Sequence, residues 1–140
     1  MEDVTAIAQI ESESFAAPLP YRWLIGAVED ALVGVATVDG TVCGFAIGHL
    51  VPTGGGRRGH LTDLAVRKPH RGQGVGRALL RWTLRQLDGC TDVWLEVRAS
   101  NHVARELYTS EGFTPIGIRP RYYADGEDAL VLNQPLDEGA

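Results

Sequence analysis

Lysine is almost missing from this chain: twelve of its thirteen basic side chains are arginine, and Lys68 is the exception. Eighteen acidic side chains outnumber them and leave a net charge of −5. A surface of that sign does not wrap nucleic acid but does attract a basic polypeptide. Cysteine is scarce too. Cys43 and Cys90 lie far apart and make no C-x-x-C pair, which excludes a zinc ribbon and a thioredoxin-type site and leaves two buried thiols as the expectation. No apolar run approaches the roughly 18 residues of a membrane span. The start, Met1-Glu2-Asp3, is acidic where a secretory signal is basic. No membrane association and a cytoplasmic location are therefore expected. His49, His60, His70 and His102 have no metal-ligand spacing, so no metal is expected and the histidines are read as surface or capping residues.

What is present suits one globular domain over residues 1–140. Apolar residues make up 44% and charged residues 22%, and a chain of this size buries roughly 68–70% of its unfolded surface, enough for a core without staples. There is no repeat, low-complexity tract or interdomain linker. Apolar periodicity predicts helices over Val4 to Phe15 and Tyr21 to Asp30, then strands over Leu32 to Val38 and Thr41 to Val51. Asp39-Gly40 between those strands is a tight-turn signal. Pro52 to Gly59, with Gly54 to Gly56 in succession, reads as a flexible loop. A strand over His60 to Val66, a helix over Gly74 to Leu87, a strand over Asp92 to Arg98 and a helix over Asn101 to Glu111 follow. Phe113 to Arg119 and Glu127 to Asn133 close the chain as a strand pair. The expected fold is α/β: a sheet of mixed direction with helices on both faces.

The most informative stretch is Leu64-Ala65-Val66, a strand end, followed by Arg71-Gly72-Gln73-Gly74-Val75-Gly76-Arg77 entering a helix. Glycines at 72, 74 and 76 let backbone approach an anion, and the helix behind them points free N–H groups at it. Arg77 in the first helical turn is locally unfavourable unless a bound polyphosphate offsets it. A P-loop requires Gly-Lys-Ser/Thr where this chain has Gly76-Arg77-Ala78, and a dinucleotide fingerprint requires glycine at position 77. Both are excluded by residue identity.

The second constellation is the strand Val93-Trp94-Leu95-Glu96-Val97-Arg98 with Ala99-Ser100-Asn101 after it. Val93, Leu95 and Val97 share one face, Trp94, Glu96 and Arg98 the other. Glu96 is thus either ion-paired with Arg98 or held in a half-buried cleft, where burial raises a carboxyl towards neutrality as a general base for an ammonium requires. On the next helix Ala104, Tyr108 and Glu111 share a side, with Val103 and Leu107 turned to the core. Tyr108 is either a packing residue or a phenol able to protonate a leaving thiolate. Asn101, or Ser100 before it, is at least a helix N-cap.

The Arg71-x-x-Gly74-x-Gly76 loop after its strand resembles the pyrophosphate loop of the GNAT acetyltransferases. The run Trp94 to Asn101, Leu107-Tyr108, Gly112-Phe113 and Arg119-Pro120-Arg121-Tyr122-Tyr123 resembles one branch of them, the bacterial ribosomal-protein-alanine N-acetyltransferases. That resemblance implies acetyl transfer from acetyl-coenzyme A (acetyl-CoA) to a protein N-terminal α-amine, most readily the alanine of a small-subunit ribosomal protein. It implies Glu96 as proton acceptor and Tyr108 as proton donor. Leu64, Ala65, Val66, the loop from Arg71 to Arg77 and Asn101 would hold acetyl-CoA, and Tyr122 and Tyr123 the peptide. A transferase for small amines or lysines, and a silent coenzyme A-binding module, are the alternatives. Family members open with a short strand, which here is missing or replaced, and their usual Arg-Arg-Asn-Tyr-Tyr hairpin segment differs from the one in this chain.

Overall fold

The computed structural model describes residues 32–136; the two predicted N-terminal helices and the question of the opening strand lie outside them. The described strands are β1 (Leu32–Val38), β2 (Thr41–Thr53), β3 (Gly56–Val66), β4 (Asp92–Arg98), β5 (Thr114–Arg119) and β6 (Ala129–Pro135). The described α-helices are α1 (Val75–Gln86) and α2 (His102–Ser110). The strands form one sheet in the order β1-β2-β3-β4-β6-β5. It is mixed, as expected: β3 and β4 run parallel, while β1/β2, β4/β6 and β5/β6 are antiparallel.

Of the described residues, 32–49 and 61–87 form one compact unit, and 50–60 with 88–136 the other. In the first, Asp39 and Gly40 both take positive φ, 52° and 80°. That pair of left-handed residues lets a two-residue turn match the twist of β1 and β2. Cys43, Phe45, Ala46 and Ile47 of β2 and Leu79 and Leu80 of α1 are buried. Trp82 of α1 packs on β1 at Gly34, where a Cβ would stand 2.6 Å from the indole. Thr83, buried on the same helix, satisfies its hydroxyl by donating to the Leu79 carbonyl at 2.8 Å.

In the second unit β4 alternates as its pattern demands, with Val93, Leu95 and Val97 buried and Leu132 of β6, also buried, registered opposite Leu95. Two expectations are corrected. Pro52 to Gly59 is not a loop, because β2 runs to Thr53, β3 begins at Gly56, and only Gly54 and Gly55 turn. The glycine cluster is a hairpin tip, and the strands beside it stay paired up to it. Val103 is 82% exposed rather than core-facing, whereas Tyr108 is 7% exposed and buried. The apolar stripe of α2 is rotated towards Tyr108, and the short helix leaves its first turn in solvent.

Candidate active site

In the first unit, β3 delivers Leu64-Ala65-Val66 into a 3-10 turn, Lys68–His70, and then into the glycine loop before α1. Gly72 and Gly74 have φ of 78° and 84°, a left-handed backbone that glycine adopts without strain. A Cβ at either would meet nothing within 4 Å, so this backbone faces open space. Gly74 is the N-cap of α1 and supplies no side-chain cap bond, and no acidic residue stands in the first turn. The helix therefore starts with its N–H donors uncapped by a side chain and with Arg77 close by, an arrangement that receives an anion. Arg71 braces the loop by donating its Nε to the Val66 carbonyl at 2.8 Å. Gln73 reaches the Pro69 carbonyl at 3.5 Å.

In the second unit, Glu96 projects from β4 with 9% of its side chain exposed. Its carboxylate accepts from His60 Nε2 at 2.7 Å and from Trp94 Nε1 at 3.1 Å, and Arg119 Nε stands 3.5 Å away. Burial pushes this carboxyl up, but the His60 hydrogen bond, the charges of His60 and Arg119 and the Trp94 donor outweigh it. The group is held below the usual carboxylate range. This corrects the expectation of a carboxyl raised towards neutrality: three donors converge on the group that burial alone would neutralise. The alternative of a Glu96–Arg98 pair also fails, since Arg98 is turned to Asp125 at 2.8 Å and Glu127 at 3.0 Å.

That Arg98 cluster shapes the segment between β5 and β6. Glu127 accepts the Ser100 backbone N–H at 2.8 Å, Asp128 accepts that of Arg121 at 3.0 Å, and the Arg98 guanidinium stacks 4.1 Å over Tyr123. Tyr122 and Tyr123 meet edge to face at 5.1 Å. Tyr123 is pushed up to about 12 by burial, with the Arg98 charge opposing. Tyr122 is raised by burial and by the Glu96 charge. The structure thus brings Glu96 within electrostatic reach of both tyrosines named as the peptide contact.

Tyr108 is buried edge-on against Phe113 at 5.8 Å. Asn101 acts as the N-cap of α2, its Oδ1 accepting the Ala104 N–H at 3.1 Å. His60 is the residue that sequence reasoning missed. It is a surface or capping residue on spacing alone, yet the parallel register of β3 and β4 pairs it with Trp94 and sets it against Glu96. Among the described residues no group of three or more His, Cys, Asp or Glu could hold a metal, and no helix is long and apolar enough to cross a membrane.

Residues 3–113 match the Acetyltransferase (GNAT) family. An uncharacterized N-acetyltransferase of Methanocaldococcus jannaschii is 36% identical over 137 residues, covering 94% of this chain and 85% of its own. An N-alpha-acetyltransferase of Sulfurisphaera tokodaii is 32% identical, covering 97% and 89%. The ribosomal protein bS18-alanine N-acetyltransferase of Escherichia coli is 40% identical over 105 residues, 71% of this chain and 68% of its own. The crystal structure of the Escherichia coli ribosomal-protein-S18-alanine enzyme superposes with a TM-score of 0.86 at 34% identity, over 100% of this chain and 94% of that one.

Proposed function

Because this chain belongs to the GNAT family of acetyltransferases, we propose that it acetylates the N-terminal α-amine of a protein, with the N-terminal alanine of a small-subunit ribosomal protein as its substrate. The observation that carries the reading is the ionised, nearly buried Glu96 carboxylate facing the Tyr122-Tyr123 pair. It stands in a chain that resembles, along its whole length, an enzyme for such an amine. Residues 1–140 then work as one transferase domain, in the cytoplasm where ribosomal proteins are made, on a protein rather than on nucleic acid or a membrane.

The residues present fit acetyl-CoA. The open, left-handed backbone at Gly72 and Gly74 and the uncapped start of α1 suit its pyrophosphate. Arg71, Gln73, Val75, Gly76 and Arg77 complete that loop, with Leu64, Ala65 and Val66 and the capping Asn101 as further contacts. Acetyl-CoA supplies the activated acetyl group as a thioester. Backbone N–H groups around Leu64 polarise the acetyl carbonyl. Tyr122 and Tyr123 hold the peptide, the Glu96 site takes the ammonium proton, and Tyr108 gives its phenolic proton to the departing sulfur. No metal takes part in this scheme.

The α-amine is the favoured nucleophile for a chemical reason. An N-terminal ammonium has a pKa of about 7.7–8.0 against about 10.4 for lysine, so a base working near neutrality frees it more than a hundredfold more easily. The test is mass-spectrometric acetylation of short peptides that differ in residue one, with N-terminally blocked lysine peptides and a polyamine alongside. Product on Ala-, Ser- or Gly-initiated peptides supports the reading. Product confined to lysine or polyamine refutes it.

A further inference from the structure

Arg119 reaches the Glu96 carboxylate from two strands away. It ends β5, Glu96 lies on β4, and β6 runs between them, a separation of about 10 Å at the usual strand spacing. Ala129 of β6 is registered opposite both Arg98 and Arg119, so Arg119 shares the face of the sheet that carries Glu96. Its Nε stands 3.5 Å from Glu96 Oε2, the oxygen that also accepts from Trp94 at 3.1 Å, while Oε1 accepts from His60 at 2.7 Å. The Arg119 side chain is 53% exposed and that of Glu96 9%, so the arginine is the outer member of the pair. We propose that Arg119 is a specificity-determining residue: it holds the position beside Glu96 that a substrate cation would take, so that the site admits an amine without stabilising its charged form. This rests on the α-amine reading above and adds a reason why amines that stay protonated are rejected.

Stability gives little reason for the contact, because a half-exposed ion pair contributes little to folding and a long side chain loses rotamer freedom by spanning β6. Recognition gives a better one. A nearly buried carboxylate with no cation beside it binds any cation that fits. Lysine side chains and polyamines would then be held as ammonium ions, which have no lone pair to attack a thioester. A permanent charge beside Oε2 repels such ions and leaves the neutral amine unaffected. An α-ammonium, at about 7.7–8.0, sheds its proton near neutrality, whereas lysine at about 10.4 does not.

The surroundings agree. Burial pushes the Glu96 carboxyl up, and the His60 bond, the charges of His60 and Arg119 and the Trp94 donor bring it below its ordinary value. Tyr122, with its ring 6.0 Å from the Arg119 guanidinium, is raised by burial and by the Glu96 charge while Arg119 opposes. The Arg119 charge is thus felt at Glu96 and at Tyr122, the two groups that the reading puts beside the amine. From the other elements, β6 sets the apolar Val131 opposite Glu96, β3 brings His60, and the segment before β6 brings Tyr123. Arg98 stacks 4.1 Å over Tyr123 but is paired with Asp125 and Glu127. The kinetic consequence is specific. Without Arg119 the carboxylate stabilises the bound ammonium, so substrate binds more tightly but less of it is in the reactive form, and kcat and KM fall together with kcat/KM little changed. A lost peptide contact would raise KM instead, and a lost catalytic group would lower kcat/KM.

The test is Arg119→Gln, with Arg119→Lys as the variant that keeps the charge. The probe is an Ala-initiated peptide trimethylated on its N-terminal nitrogen, a permanent cation that cannot be acetylated, and the same peptide N-acetylated is the neutral control. By calorimetry Arg119→Gln is expected to bind the trimethylated peptide about five- to tenfold more tightly than wild type does, and the neutral peptide equally well. On the unmodified peptide at neutral pH, kcat and KM should fall by a similar factor, and the ascending limb of the kcat profile should move up by about half a unit to one unit. Arg119→Lys should behave as wild type, and both variants should melt close to wild type. Unchanged affinity of a folded Arg119→Gln for the trimethylated peptide, tighter binding of both peptides alike, or a raised KM would overturn the inference and leave the α-amine reading standing. If the wild type gives no product on any α-amine peptide, that reading falls, and the calorimetric comparison, which needs no turnover, still decides on Arg119.

Discussion

Replacing Gly74 separates the fold of the phosphate loop from its function. Gly74 sits at φ 84° as the N-cap of α1, and a Cβ added there meets no heavy atom within 4 Å. Alanine at this position therefore clashes with nothing in the protein. Its cost is the left-handed backbone, about 1–2 kcal/mol for a residue with a Cβ, offset by about 0.4–1 kcal/mol because alanine narrows the unfolded ensemble. The balance is a loss of about 0–1.6 kcal/mol. With an unfolding entropy of about 2.1 cal/mol/K per residue over 140 residues, that lowers the melting temperature by at most about 5 °C. The new side chain occupies the open space the backbone offers a phosphate. Gly74→Val is expected to weaken acetyl-CoA binding at least about tenfold, equivalent to about 1.4 kcal/mol, and Gly74→Val with Gly76→Val to abolish it. Calorimetric titration reads the affinity, and a thermal melt confirms that the chain is folded. Unchanged affinity in the folded double variant would refute the assignment of this loop to the pyrophosphate.

The remaining expectations concern the second unit. Tyr108→Phe keeps the ring on Phe113 and should preserve stability and acetyl-CoA affinity, while turnover falls by about 10²–10⁴-fold; a wild-type rate would remove the phenol from the mechanism. Arg98→Ala frees the segment carrying Tyr122 and Tyr123 from Asp125, Glu127 and the cation–π stack, and should raise KM for peptide several-fold with acetyl-CoA affinity unchanged. Asp92 is held below its ordinary value first by the Arg58 hydrogen bonds and also by Asn133, with burial opposing. Its contribution is complete above about pH 4 and fades as pH falls through the lowered folded value. Asp92→Asn should therefore cost about 1–2 kcal/mol at neutral pH, and the gap in melting temperature from wild type should narrow below about pH 4. A gap that does not change with pH would contradict it.

The strands whose pattern is local were legible in the sequence. Leu32–Val38 and Asp92–Arg98 have the predicted bounds, because alternation within one strand and a left-handed turn pair are short-range signals. Of the two cap candidates at the start of α2, Ser100 and Asn101, it is Asn101 that accepts the Ala104 N–H. Missed features depend on partners distant in sequence. His60 meets Glu96 only through the parallel pairing of β3 with β4, 36 residues apart. The depression of the Glu96 carboxyl needs donors from three strands, which no single motif contains. Arg98 has an acidic neighbour two residues away on its own face, yet pairs with Asp125 and Glu127 after the chain returns. Val103 faces solvent because α2 is only nine residues long and one stripe serves its core contact.

A preference for the α-amine of a protein over a lysine side chain can be read from a single peptide. A synthetic peptide beginning with alanine and carrying an internal lysine offers both nucleophiles at equal concentration to the same enzyme, and tandem mass spectrometry locates the acetyl group. At neutral pH acetyl is expected on the N-terminal nitrogen, with the lysine left free at early time points. Acetyl on the lysine side chain ahead of the N-terminus would contradict it.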